Sequence, residues 1–586
     1  MLFKVNRTVS LWIRVDYVKF RTAMCESVWI MASPRNEAKR ISAELGIPPE
    51  IAQILVNRKI CDPYVAHKFL FGTLDDLHDP YLMKGMKEAV ERVKRAISRR
   101  ERILIFGDYD VDGILSVVIL TRALESLGAE VNYFIPNRLK EGYGIKEKYI
   151  DIAVERNANL VMSVDCGIKA NAFVKRAKMK GIDVIITDHH QPGPTLPEAL
   201  AILDPVLLSS GYPDRRLAGI GVVFKLIQAL IEIEKKSSFL PHYLKMVSIG
   251  TIADIAELRG ENRLFVRFGL KSLESVSNKG LISLLEVCGL DGREVSVGDV
   301  GFRIGPRINA AGRMGMADLA VELFFSESPQ KAEELVYRLD SLNSKRQRIE
   351  ERVYDQALRH IRKRALDKRY KFLIMGCEEW HRGVIGIVAS KIKDVFHRPV
   401  LLFSYEDGRA FGSGRSIREF SLIECLDRCK DFFLNFGGHT LAVGCEVERE
   451  KMFFLKEAIN EFAHSRLTEK LLKKKIYIDA KIDFTDINIH FIEKYSLLSP
   501  FGIGNPKPIF LTEKVEVISD PQKIHGKHSK FLVKQNGRIF EALGWGRGDW
   551  AEIIQRGMRI DLAYSFHFSQ YLGKEKLSLS IEDIKF

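Results

Sequence analysis

The chain has few cysteines, and no two of them have metal-binding spacing. Its 586 residues include eight cysteines, and none forms a C-x-x-C pair. A disulfide framework and a structural zinc site are therefore both disfavoured. We interpret Cys425 and Cys429, which lie one helical turn apart, as packing residues. The low cysteine content favours a reducing cytoplasm.

Long apolar runs are also missing. No stretch reaches the roughly 18 consecutive apolar residues of a membrane-spanning helix, so we expect no membrane contact. The first 30 residues are basic and partly apolar, but they lack the apolar core and the small-residue cleavage site of a secretory signal. Either Met31 is the true start, or residues 1–34 form a loosely ordered N-terminal extension.

The rest of the composition is that of a folded multidomain protein. Hydrophobic residues make up 46% and charged residues 28%, which excludes disorder or a fibrous architecture as the main interpretation. At roughly 150 residues per domain, the length allows three or four domains. The 90 Lys plus Arg exceed the 76 Asp plus Glu by 14. Such an excess favours a polyanionic partner, above all nucleic acid.

The hydrophobic pattern divides the chain into five parts. Helical spacing fills residues 35–100, and from residue 102 short apolar runs alternate with amphipathic stretches, as in a parallel α/β sheet. A second α/β pattern begins at Lys371, and short β-like segments dominate from Tyr477, as in a small barrel or sandwich. The predicted parts are an extension (1–34), an α/β domain with a helical N-terminal part (35–325), a connector helix (326–368), a second α/β domain (369–468) and a barrel (469–586).

The predicted connector is unusually basic. Residues 325–368 contain no glycine, and Leu335, Leu339 and Val353 fall at helical spacing. The segment Lys345–Arg369 has ten Lys or Arg against four acidic residues. Two interpretations stay open, namely a solvated helix face or a face that meets DNA.

The sharpest local signal is a group of carboxylates directly after the apolar run ERILIF. Asp108, Asp110 and Asp112 lie in GDYDVDG, at the carboxyl end of a predicted parallel strand, where open α/β sheets place their ligands. Carboxylates this close repel one another, and a divalent cation relieves the repulsion. A helix–loop–helix calcium site is disfavoured because its flanking helix and bidentate Glu are missing. A solvated Asp-rich turn is the plain alternative.

Other predicted element ends carry the same chemistry. Asp165 follows the run NLVMSV, His189 and His190 follow Asp188 after IDVIIT, and Asp254 lies in SIGTIADIAEL, where we expect a buried helix. A buried aspartate needs a partner, which a metal supplies. Carboxylates with one imidazole favour manganese or magnesium over zinc. The ligand number suggests two ions about 3.5–4 Å apart, an arrangement that makes hydroxide at neutral pH and promotes phosphoryl transfer.

These segments together resemble a known family. GDYDVDG, SVDCG, TDHH and TIADIAEL, in this order, are similar to the four metal motifs of the DHH phosphoesterase superfamily. GPRINAAGRMG resembles the next motif of its RecJ family, whose members are single-strand-specific 5′→3′ DNA exonucleases. WHRGVIGIVASKI, GSGRS and FGGHTLAVG are similar to the DHH-associated domain, and LSPFGIGNPKPIF to the start of the RecJ OB-fold. The resemblance covers about residues 35–586.

The resemblance implies metal ligands residue by residue. Asp110 and Asp165 are implied to hold one metal, with Asp108 nearby. The second metal is implied to lie among Asp112, Asp165, His189 and Asp254. One departure is Phe106, which stands where many superfamily members have a His and which cannot ligate a metal.

The same resemblance implies residues that contact the substrate. His190 is implied to contact the scissile phosphate and to act in catalysis with the metal ligands. The other implied substrate-binding residues, some of them cradling the 5′-phosphate, are Arg138, Arg307, Asn309, Arg313, His381, Arg382, Ser413, Arg415 and His439. Arginine suits this role because its guanidinium binds phosphate oxygens in a bidentate manner.

The resemblance implies a Mn- or Mg-dependent hydrolase that releases 5′-mononucleotides from single-stranded DNA in DNA repair and recombination. Single-stranded DNA is the expected partner in the cytoplasm, with single-strand-binding protein and a helicase as further partners. The alternatives are a DHH phosphodiesterase acting on short oligonucleotides or cyclic dinucleotides, a non-catalytic DNA-binding scaffold of the same fold, and an inorganic pyrophosphatase. The barrel and the net charge of +14 argue against the first. The metal-ligand residues argue against the second, and the length argues against the third.

Overall fold

The computed structural model describes residues 27–137, 144–233, 240–571 and 574–586. We number the strands and helices of these ranges in chain order. The strands are β1 (Val28–Met31), β2 (Arg102–Gly107), β3 (Glu130–Phe134), β4 (Leu160–Val164), β5 (Asp183–Thr187), β6 (Ala201–Leu203), β7 (Leu373–Cys377), β8 (Val400–Glu406), β9 (Arg409–Arg415), β10 (Phe433–Gly438), β11 (Ala442–Glu448), β12 (Lys475–Ile478), β13 (Ala480–Lys481), β14 (Phe510–Val517), β15 (Gln522–Ile524), β16 (His528–Gln535), β17 (Arg538–Gly544), β18 (Arg559–Tyr571) and β19 (Lys574–Lys585).

The α-helices of four or more residues occur in both halves of the described chain. They are α1 (Asn36–Leu45), α2 (Pro49–Asn57), α3 (Pro63–Phe71), α4 (Met86–Ser98), α5 (Val111–Ser126), α6 (Ile150–Glu155), α7 (Asn171–Met179), α8 (Gly219–Ile233), α9 (Leu240–Ala253), α10 (Gly260–Ser272), α11 (Lys279–Val287), α12 (Gly305–Arg313), α13 (Asp318–Phe325), α14 (Pro329–Arg364), α15 (Leu366–Arg369), α16 (Ile385–Phe396), α17 (Leu422–Arg428), α18 (Met452–Arg466), α19 (Ile489–Ser496) and α20 (Trp550–Ile553). Among the helices of the described ranges, none has the length and apolar character needed to cross a bilayer.

The first sheet is entirely parallel, with the strand order β3-β2-β4-β5-β6. It confirms the predicted parallel α/β domain. The apolar runs of the sequence that predict its strands lie within one residue of β2 to β5, and these runs are residues 102–106, 131–135, 159–164 and 183–187. Helices cover both faces, because Ile105 enters the larger core while its neighbour Phe106 enters the smaller one. The strand order reverses between β2 and β4. The loops after these strands therefore form the crevice where doubly wound sheets bind ligands.

One helix belongs to two hydrophobic cores. Leu335 and Leu339 of α14 are buried in the core of the first domain, whereas Val353 and Ile361 are buried in the core of the second. The helix has 36 residues, hence a length of about 54 Å. Because both cores include side chains from the same helix, α14 fixes the spacing of the two domains. The predicted long connector is thus a packed element of both domains.

The remaining two sheets build the second α/β domain and the barrel. The second domain has the order β10-β11-β9-β8-β7, in which only β7 and β8 run parallel. At the C-terminus, β14, β18, β19, β17 and β16 follow one another, and a pairing between β14 and β16 closes the ring. These sheets confirm the predicted DHH-associated α/β fold and the OB-type barrel.

The N-terminal part of the chain packs against the barrel. Val28–Met31 pairs in parallel with Lys475–Ile478, so that β1 belongs to the fold although residues 1–34 were predicted to be an extension. Helices α1 to α3 share a core with the barrel strands, through side chains such as Ile51, Leu70 and Phe484. From sequence we placed these helices with the first α/β domain. Among the helices of residues 35–100, only α4 packs in the core of the first α/β domain.

Arg263 connects the barrel region to the first domain. Its side chain is 2% exposed, and its guanidinium donates to the consecutive carbonyls of residues 497–500 at 2.7–3.3 Å. It also donates to the Phe69 carbonyl at 3.0 Å, and it lies 3.9 Å from the centre of the Phe69 ring. All five guanidinium N–H groups therefore have an acceptor. Burial and the nearby charges of Arg267 and Arg58 lower the pKa of Arg263 to about 9, so the group remains charged at pH 7.

We predict that Arg263→Lys loosens the barrel. An ammonium group has three donors and no planar fork, so at least two of the five carbonyls lose their partner. Each lost charge-assisted bond costs about 1.5–3 kcal/mol. The urea midpoint of the barrel transition should therefore fall, which is measurable by tryptophan fluorescence because Trp29, Trp545 and Trp550 lie in or against the barrel.

The matched control is Arg267→Lys on the next turn of α10. The guanidinium of Arg267 makes one hydrogen bond, to the Leu70 carbonyl at 2.9 Å, and a lysine can replace a single donor. Equal midpoints for the two variants would contradict the special role of Arg263.

Candidate metal centre

Asp110 and Asp112 lie where strand β2 turns into helix α5. Asp110 is the N-cap of the helix, and its carboxylate accepts the Gly113 N–H at 3.1 Å. Asp112, in the first turn, is 1% exposed and accepts the backbone N–H groups of Gly219 and Ile220 at 2.8 and 2.6 Å. These two donors form the N-terminus of α8, whose macrodipole favours a negative charge at this point. The backbone thus holds the Asp112 carboxylate at a fixed place in the crevice.

Asp165 follows strand β4 in a left-handed backbone conformation. Its φ is +59°, its N–H donates to the Thr187 carbonyl at 3.0 Å, and its side chain is buried. Such a conformation is uncommon for a non-glycine residue, and residues that adopt it cluster at functional sites. Residue 219 must be glycine, since a Cβ atom there would lie 2.7 Å from the Asp165 carboxylate.

His189 is the common neighbour of the carboxylates. Its Nε2 lies 3.1 Å from Asp165 Oδ1 and 4.0 Å from Asp112 Oδ2, and its Nδ1 lies 3.9 Å from Asp254 Oδ2. We expected Asp254 to lie within a buried helix, but it lies just beyond the end of one. Helix α9 ends at Ala253, and the Asp254 side chain is 24% exposed at the helix end. This end position lets the carboxylate turn into the crevice.

Potential ligand atoms converge in three overlapping groups. Within each group they lie within 4.8 Å of one another, and the members come from the loops after β2, β4 and β5, the first turn of α5 and the end of α9. The groups are Asp108–Asp110–Asp165, Asp112–His189–Asp254 and Asp165–His189–His190. All six residues predicted as metal ligands occur in these groups. Because Asp165 and His189 each belong to two groups, the three groups form one continuous site.

The protonation equilibria show the strain of this arrangement. Burial, together with the neighbouring charge of Asp110, raises the pKa of Asp112 to about 7. Burial and the charges of the neighbouring aspartates raise the pKa values of Asp165 and Asp254 well above the usual range. Burial and the charge of His190 lower the pKa of His189 to about 4, so its imidazole is neutral at pH 7. A neutral imidazole among carboxylates is the ligand form that a divalent metal requires.

The donor set fits manganese or magnesium. Several carboxylate oxygens with one or two imidazoles suit these cations, whereas the thiolates that favour zinc are missing from the three groups. A bound divalent cation would lower the raised carboxylate pKa values, because an opposite charge nearby stabilises the ionised form. The residues that would hold it are Asp108, Asp110, Asp112, Asp165, His189 and Asp254.

Asp188 is a functional residue that our sequence analysis did not include in the site. It is buried, and its carboxylate accepts the N–H groups of Ile168, His189 and His190 at 2.8–3.1 Å. It also lies 2.7 Å from Nδ1 of His190. The TDHH motif contained the signal, because an acid next to two histidines is placed to orient one of them.

The Asp188–His190 pair sets the charge of His190. Burial alone would lower the pKa of His190, but the hydrogen bond and the charge of Asp188 raise it above its ordinary value. Burial would likewise raise the pKa of Asp188, and the bond from His190 brings it below the ordinary value. The pair therefore orients the His190 ring and favours its protonated form.

Phe106 is wholly part of a hydrophobic core. Its side chain is 0% exposed and packs against the rings of Phe134, Tyr149 and Phe173, with centroids 5.0–6.1 Å apart. Phe106 thus contributes packing and no ligand in this chain. Asp108, Asp110 and Asp165 are left as the potential ligands on that side of the site.

Arg313 links the metal loops to the second domain. Its guanidinium donates to the Gly383 carbonyl at 3.0 Å, and its neighbour Gly312 packs so tightly that a Cβ would lie 2.1 Å from the Tyr109 carbonyl. In the same turn, His381 Nδ1 accepts the Gly383 N–H at 3.0 Å. Arg313 and His381 therefore both border the cleft between the two domains.

Three further predicted residues lie on the second domain near this turn. Arg415 donates to the Ser413 hydroxyl at 3.2 Å, and both side chains lie against Gly386 at the start of α16. The Arg382 guanidinium lies 4.2 Å from the centre of the Phe411 ring and 3.6 Å from a Glu406 oxygen.

The other predicted substrate residues are more scattered. Arg307 pairs with Asp340 of α14 at 2.8 Å and donates to the Arg303 carbonyl, so its side chain points to the connector helix. Asn309 is half-buried in α12, and His439 is exposed in the turn between β10 and β11. Arg138 lies outside the described residues.

We predict that the metal-free protein loses stability as the pH rises from 5 to 8. A carboxyl group whose pKa is raised on folding binds more protons in the folded than in the unfolded state, so stability falls as the pH passes its folded pKa. Asp112, with a pKa of about 7, titrates in this window. The raised pKa of His190 acts in the same direction, whereas the lowered pKa of His189 opposes the fall only below about pH 6.5.

The expected loss is on the order of a few kcal/mol, and it is measurable as a falling thermal midpoint in the presence of a chelator. Saturating Mn²⁺ should abolish the fall, since the cation keeps the carboxylates ionised at all these pH values. Asp112→Asn should weaken the pH dependence in the metal-free protein. A thermal midpoint of the metal-free protein that stays constant or rises with pH would contradict the raised pKa of Asp112.

Comparison with known proteins covers each of the three folded bodies. The DHH family N-terminal domain matches residues 102–251, the DHHA1 domain matches residues 369–465, and the RecJ OB domain matches residues 478–583. Helices α1 to α4 and the whole of the connector α14 lie outside these matched ranges.

Relatives match along nearly the whole chain. The single-stranded-DNA-specific exonuclease RecJ of Bacillus subtilis is 38% identical over 95% of this chain and 70% of its own length. The protein of that name from Escherichia coli is 32% identical over 94% of this chain and 97% of its own length.

Solved structures agree with the sequence relatives. The crystal structure of RecJ in complex with Mn²⁺ from Thermus thermophilus superposes with a TM-score of 0.82 at 30% identity, covering 96% of this chain and 80% of that one. A second exonuclease RecJ structure, bound to manganese, has a TM-score of 0.57 at 36% identity and covers 66% of this chain and 96% of that one. Because relatives above 30% identity extend over nearly all of both chains, this protein belongs to the RecJ family of the DHH superfamily.

Proposed function

We propose that the protein is a manganese- or magnesium-dependent exonuclease that hydrolyses the phosphodiester bonds of single-stranded DNA from the 5′ end, in DNA repair and recombination. The observation that carries the proposal is the convergence of Asp108, Asp110, Asp112, Asp165, His189 and Asp254 in one crevice. The names of the relatives in the RecJ family give the substrate and the reaction class. The metals in the solved RecJ structures agree with the donor set of this chain.

The residues of this chain have distinct roles in the proposed reaction. Divalent cations, when bound, lower the pKa of water and stabilise the charge that develops in phosphoryl transfer. The backbone N–H groups at the start of α8 keep Asp112 in place as a ligand. His190, held by Asp188 in its protonated form, contacts the scissile phosphate and can supply a proton to the leaving oxygen.

The polarity of the reaction depends on a phosphate site beside the metals. Arg313, Ser413 and Arg415 border the cleft between the two α/β domains, on the side of the metal loops. Arginine and hydroxyl donors in such a cleft suit a terminal phosphate, whose oxygens accept bidentate hydrogen bonds. Binding of the 5′-phosphate here would place the first phosphodiester over the metals. Cleavage of this first phosphodiester would release one 5′-mononucleotide at a time.

The exposed cations of the connector helix extend the proposed DNA path. Lys345, Arg348, Arg352 and Arg359 are exposed on α14 and fall within an arc of about 60° on the helix surface. No ion pair joins any of the four to a residue in the described ranges, whereas Arg338 and Arg346 of the same helix pair with Glu334 and Glu350.

The surface formed by Lys345, Arg348, Arg352 and Arg359, which we call the basic face, begins at the cleft. Burial lowers the pKa of His381, and the positive charges of Lys345 and Arg382 lower it further, so Lys345 lies near this cleft residue. We therefore favour the DNA-facing interpretation of the basic helix. Its cations would attract the phosphates of a strand that leaves the cleft.

The barrel offers an aromatic surface for the same strand. Most of its aromatic rings are core residues, such as Phe510, Tyr564 and Phe566, but the Trp545 side chain is 51% exposed. The Trp545 ring contacts His528 and His567, with centroids 5.0 and 5.8 Å apart. A base stacked on such a ring gains about 1–3 kcal/mol.

Two finer parts of the proposal concern the cellular setting. The seven cysteines of the described residues form no disulfide, which agrees with a cytoplasmic location. Single-strand-binding protein and a helicase are proposed partners, because an enzyme confined to single strands needs a supply of them.

We predict that the wild-type chain releases a 5′ label from single-stranded DNA in Mn²⁺ as mononucleotide, before a 3′ label is released. The same sequence as a blunt duplex should be degraded much more slowly, and chelator should stop the reaction. Asp112→Asn and His189→Ala should each lower the rate at least about 1,000-fold, because they remove metal ligands. Timed digestion followed by gel electrophoresis measures all of these outcomes.

The control for these variants is Asp291→Asn, which removes one exposed carboxylate from the turn after α11 and should digest DNA at the wild-type rate. Full activity of His189→Ala would contradict the proposed metal centre. Early release of the 3′ label would contradict the polarity. Cleavage of dinucleotides but not of long strands would favour the oligonucleotide phosphodiesterase.

We predict that Lys345→Gln/Arg352→Gln weakens binding to long single strands through electrostatics. Each neutralised phosphate contributes about 0.7 to the slope of log affinity against log salt for single strands, so the loss of two cations should make the slope less steep by about 1.4. The KM should rise while kcat at saturating DNA stays the same, because neither residue touches the metal centre.

The matched control is Lys331→Gln/Arg338→Gln. It also removes two cations from α14, but both of these are already paired with Glu334. If the two double variants had the same salt slope, the basic face would be merely a solvated surface.

A further inference from the structure

We propose that Asn262 is a positioning residue for the metal centre, although it contributes no ligand. This inference rests on the proposed function and adds a residue that no motif of the site includes. Asn262 lies in the first turn of α10 and is 0% exposed. Its carboxamide nitrogen donates to the Arg216 carbonyl at 2.5 Å and to the Glu257 carbonyl at 3.2 Å. One amide group therefore ties together two separate loops.

The first of these loops supports Asp112 and His189. Arg216 is followed by Leu217, whose backbone makes a hydrogen bond with the His189 ring. Two residues further on, Gly219 and Ile220 donate their N–H groups to the Asp112 carboxylate. A shift of the Arg216 carbonyl therefore moves the groups that hold two of the potential ligands.

The second loop carries Asp254. Glu257 comes three residues after Asp254, and the chain between them turns through Ile255, which has a left-handed φ of +62°. Helix α9 has ended by this point, so no helical hydrogen bonds extend beyond Ala256 to hold the loop. The bond from Asn262 to the Glu257 carbonyl is thus one of the contacts that fix the loop after the third ligand.

Neighbouring buried groups make the arrangement stiff. The Glu261 N–H donates to Asp214 at 2.8 Å, and the Glu261 carboxylate accepts the Tyr212 hydroxyl at 2.5 Å and the Lys225 ammonium at 3.1 Å. These bonds fix the beginning of the segment that contains Arg216. Asn262 adds the bridge from this segment to the loop after Asp254.

The Asp112–His189–Asp254 group thus depends on two loops joined through one buried amide. Metal affinity depends on the exact placement of ligands, and residues that hold the ligands typically contribute 10–100-fold to it. Loss of the amide would let the two loops drift apart, without removing any ligand or any group that touches DNA.

The test is Mn²⁺ binding to the metal-free full chain without DNA, followed by the EPR signal of free Mn²⁺. Asn262→Ala should raise the Mn²⁺ dissociation constant about 10-fold, and it should raise the Mn²⁺ concentration for half-maximal cleavage by a similar factor. At saturating Mn²⁺ the KM for single-stranded DNA should stay within about twofold of wild type, because the variant leaves the DNA contacts intact.

The matched control is Asn278→Ala, remote from the metal centre. The Asn278 side chain donates to the Phe324 carbonyl at 2.7 Å and caps α11, so its removal also costs buried hydrogen bonds. This control should lower the thermal midpoint but leave the Mn²⁺ affinity unchanged. If Asn262→Ala does not fold, Asn262→Ser, which keeps one donor, should show a smaller shift in the same direction.

An unchanged Mn²⁺ affinity in a folded Asn262 variant would overturn the positioning role and leave the proposed function intact. A wild-type chain that binds no Mn²⁺ would instead overturn the proposed metal centre, and the positioning role with it.

Discussion

The structure depends on the burial of several like charges in one crevice. Asp112 and Asp165 are almost completely buried, and the His189 ring lies 3.1–4.0 Å from carboxylate oxygens of Asp112, Asp165 and Asp254. Without compensation, such a group would be strongly destabilising. The fold compensates in part with backbone N–H groups at the N-termini of α5 and α8. The remaining strain, seen in the raised carboxylate pKa values, is the free energy that a divalent cation can recover.

Helix α14 and the first turn of α10 hold the domains around this crevice in fixed positions. The connector helix α14 enters the cores of both α/β domains, so the side of the cleft that carries Ser413 and Arg415 stays at a fixed distance from the metal loops. The first turn of α10 has an equally central place. Asn262 faces the metal loops while Arg263, the next residue, binds five carbonyls that mostly belong to the barrel segment. Two adjacent side chains thus connect the site with the barrel.

The fold could be predicted largely because its signals are local. Short apolar runs with acidic ends gave the strands of the parallel sheet, and alternating segments gave the barrel. The packing of α1 to α3 on the barrel was not predictable, because their apolar faces are compatible with any neighbouring core. The same holds for Val28–Met31, which pairs with a strand more than 400 residues away in the chain. Partners that distant leave no periodic trace in the sequence.

For the candidate site, the sequence by itself determined the residue types and their positions at strand ends, since parallel strands bring their carboxyl ends to one edge. It also showed that Phe106 cannot ligate a metal. Only the tertiary structure decided that Asp254 lies beyond its helix, that Asp188 orients His190, and that Arg307 turns towards α14. The role of Asn262 likewise required the folded chain. Side-chain direction and hydrogen-bond partners depend on segments that meet only in space, and spacing along the chain does not specify them.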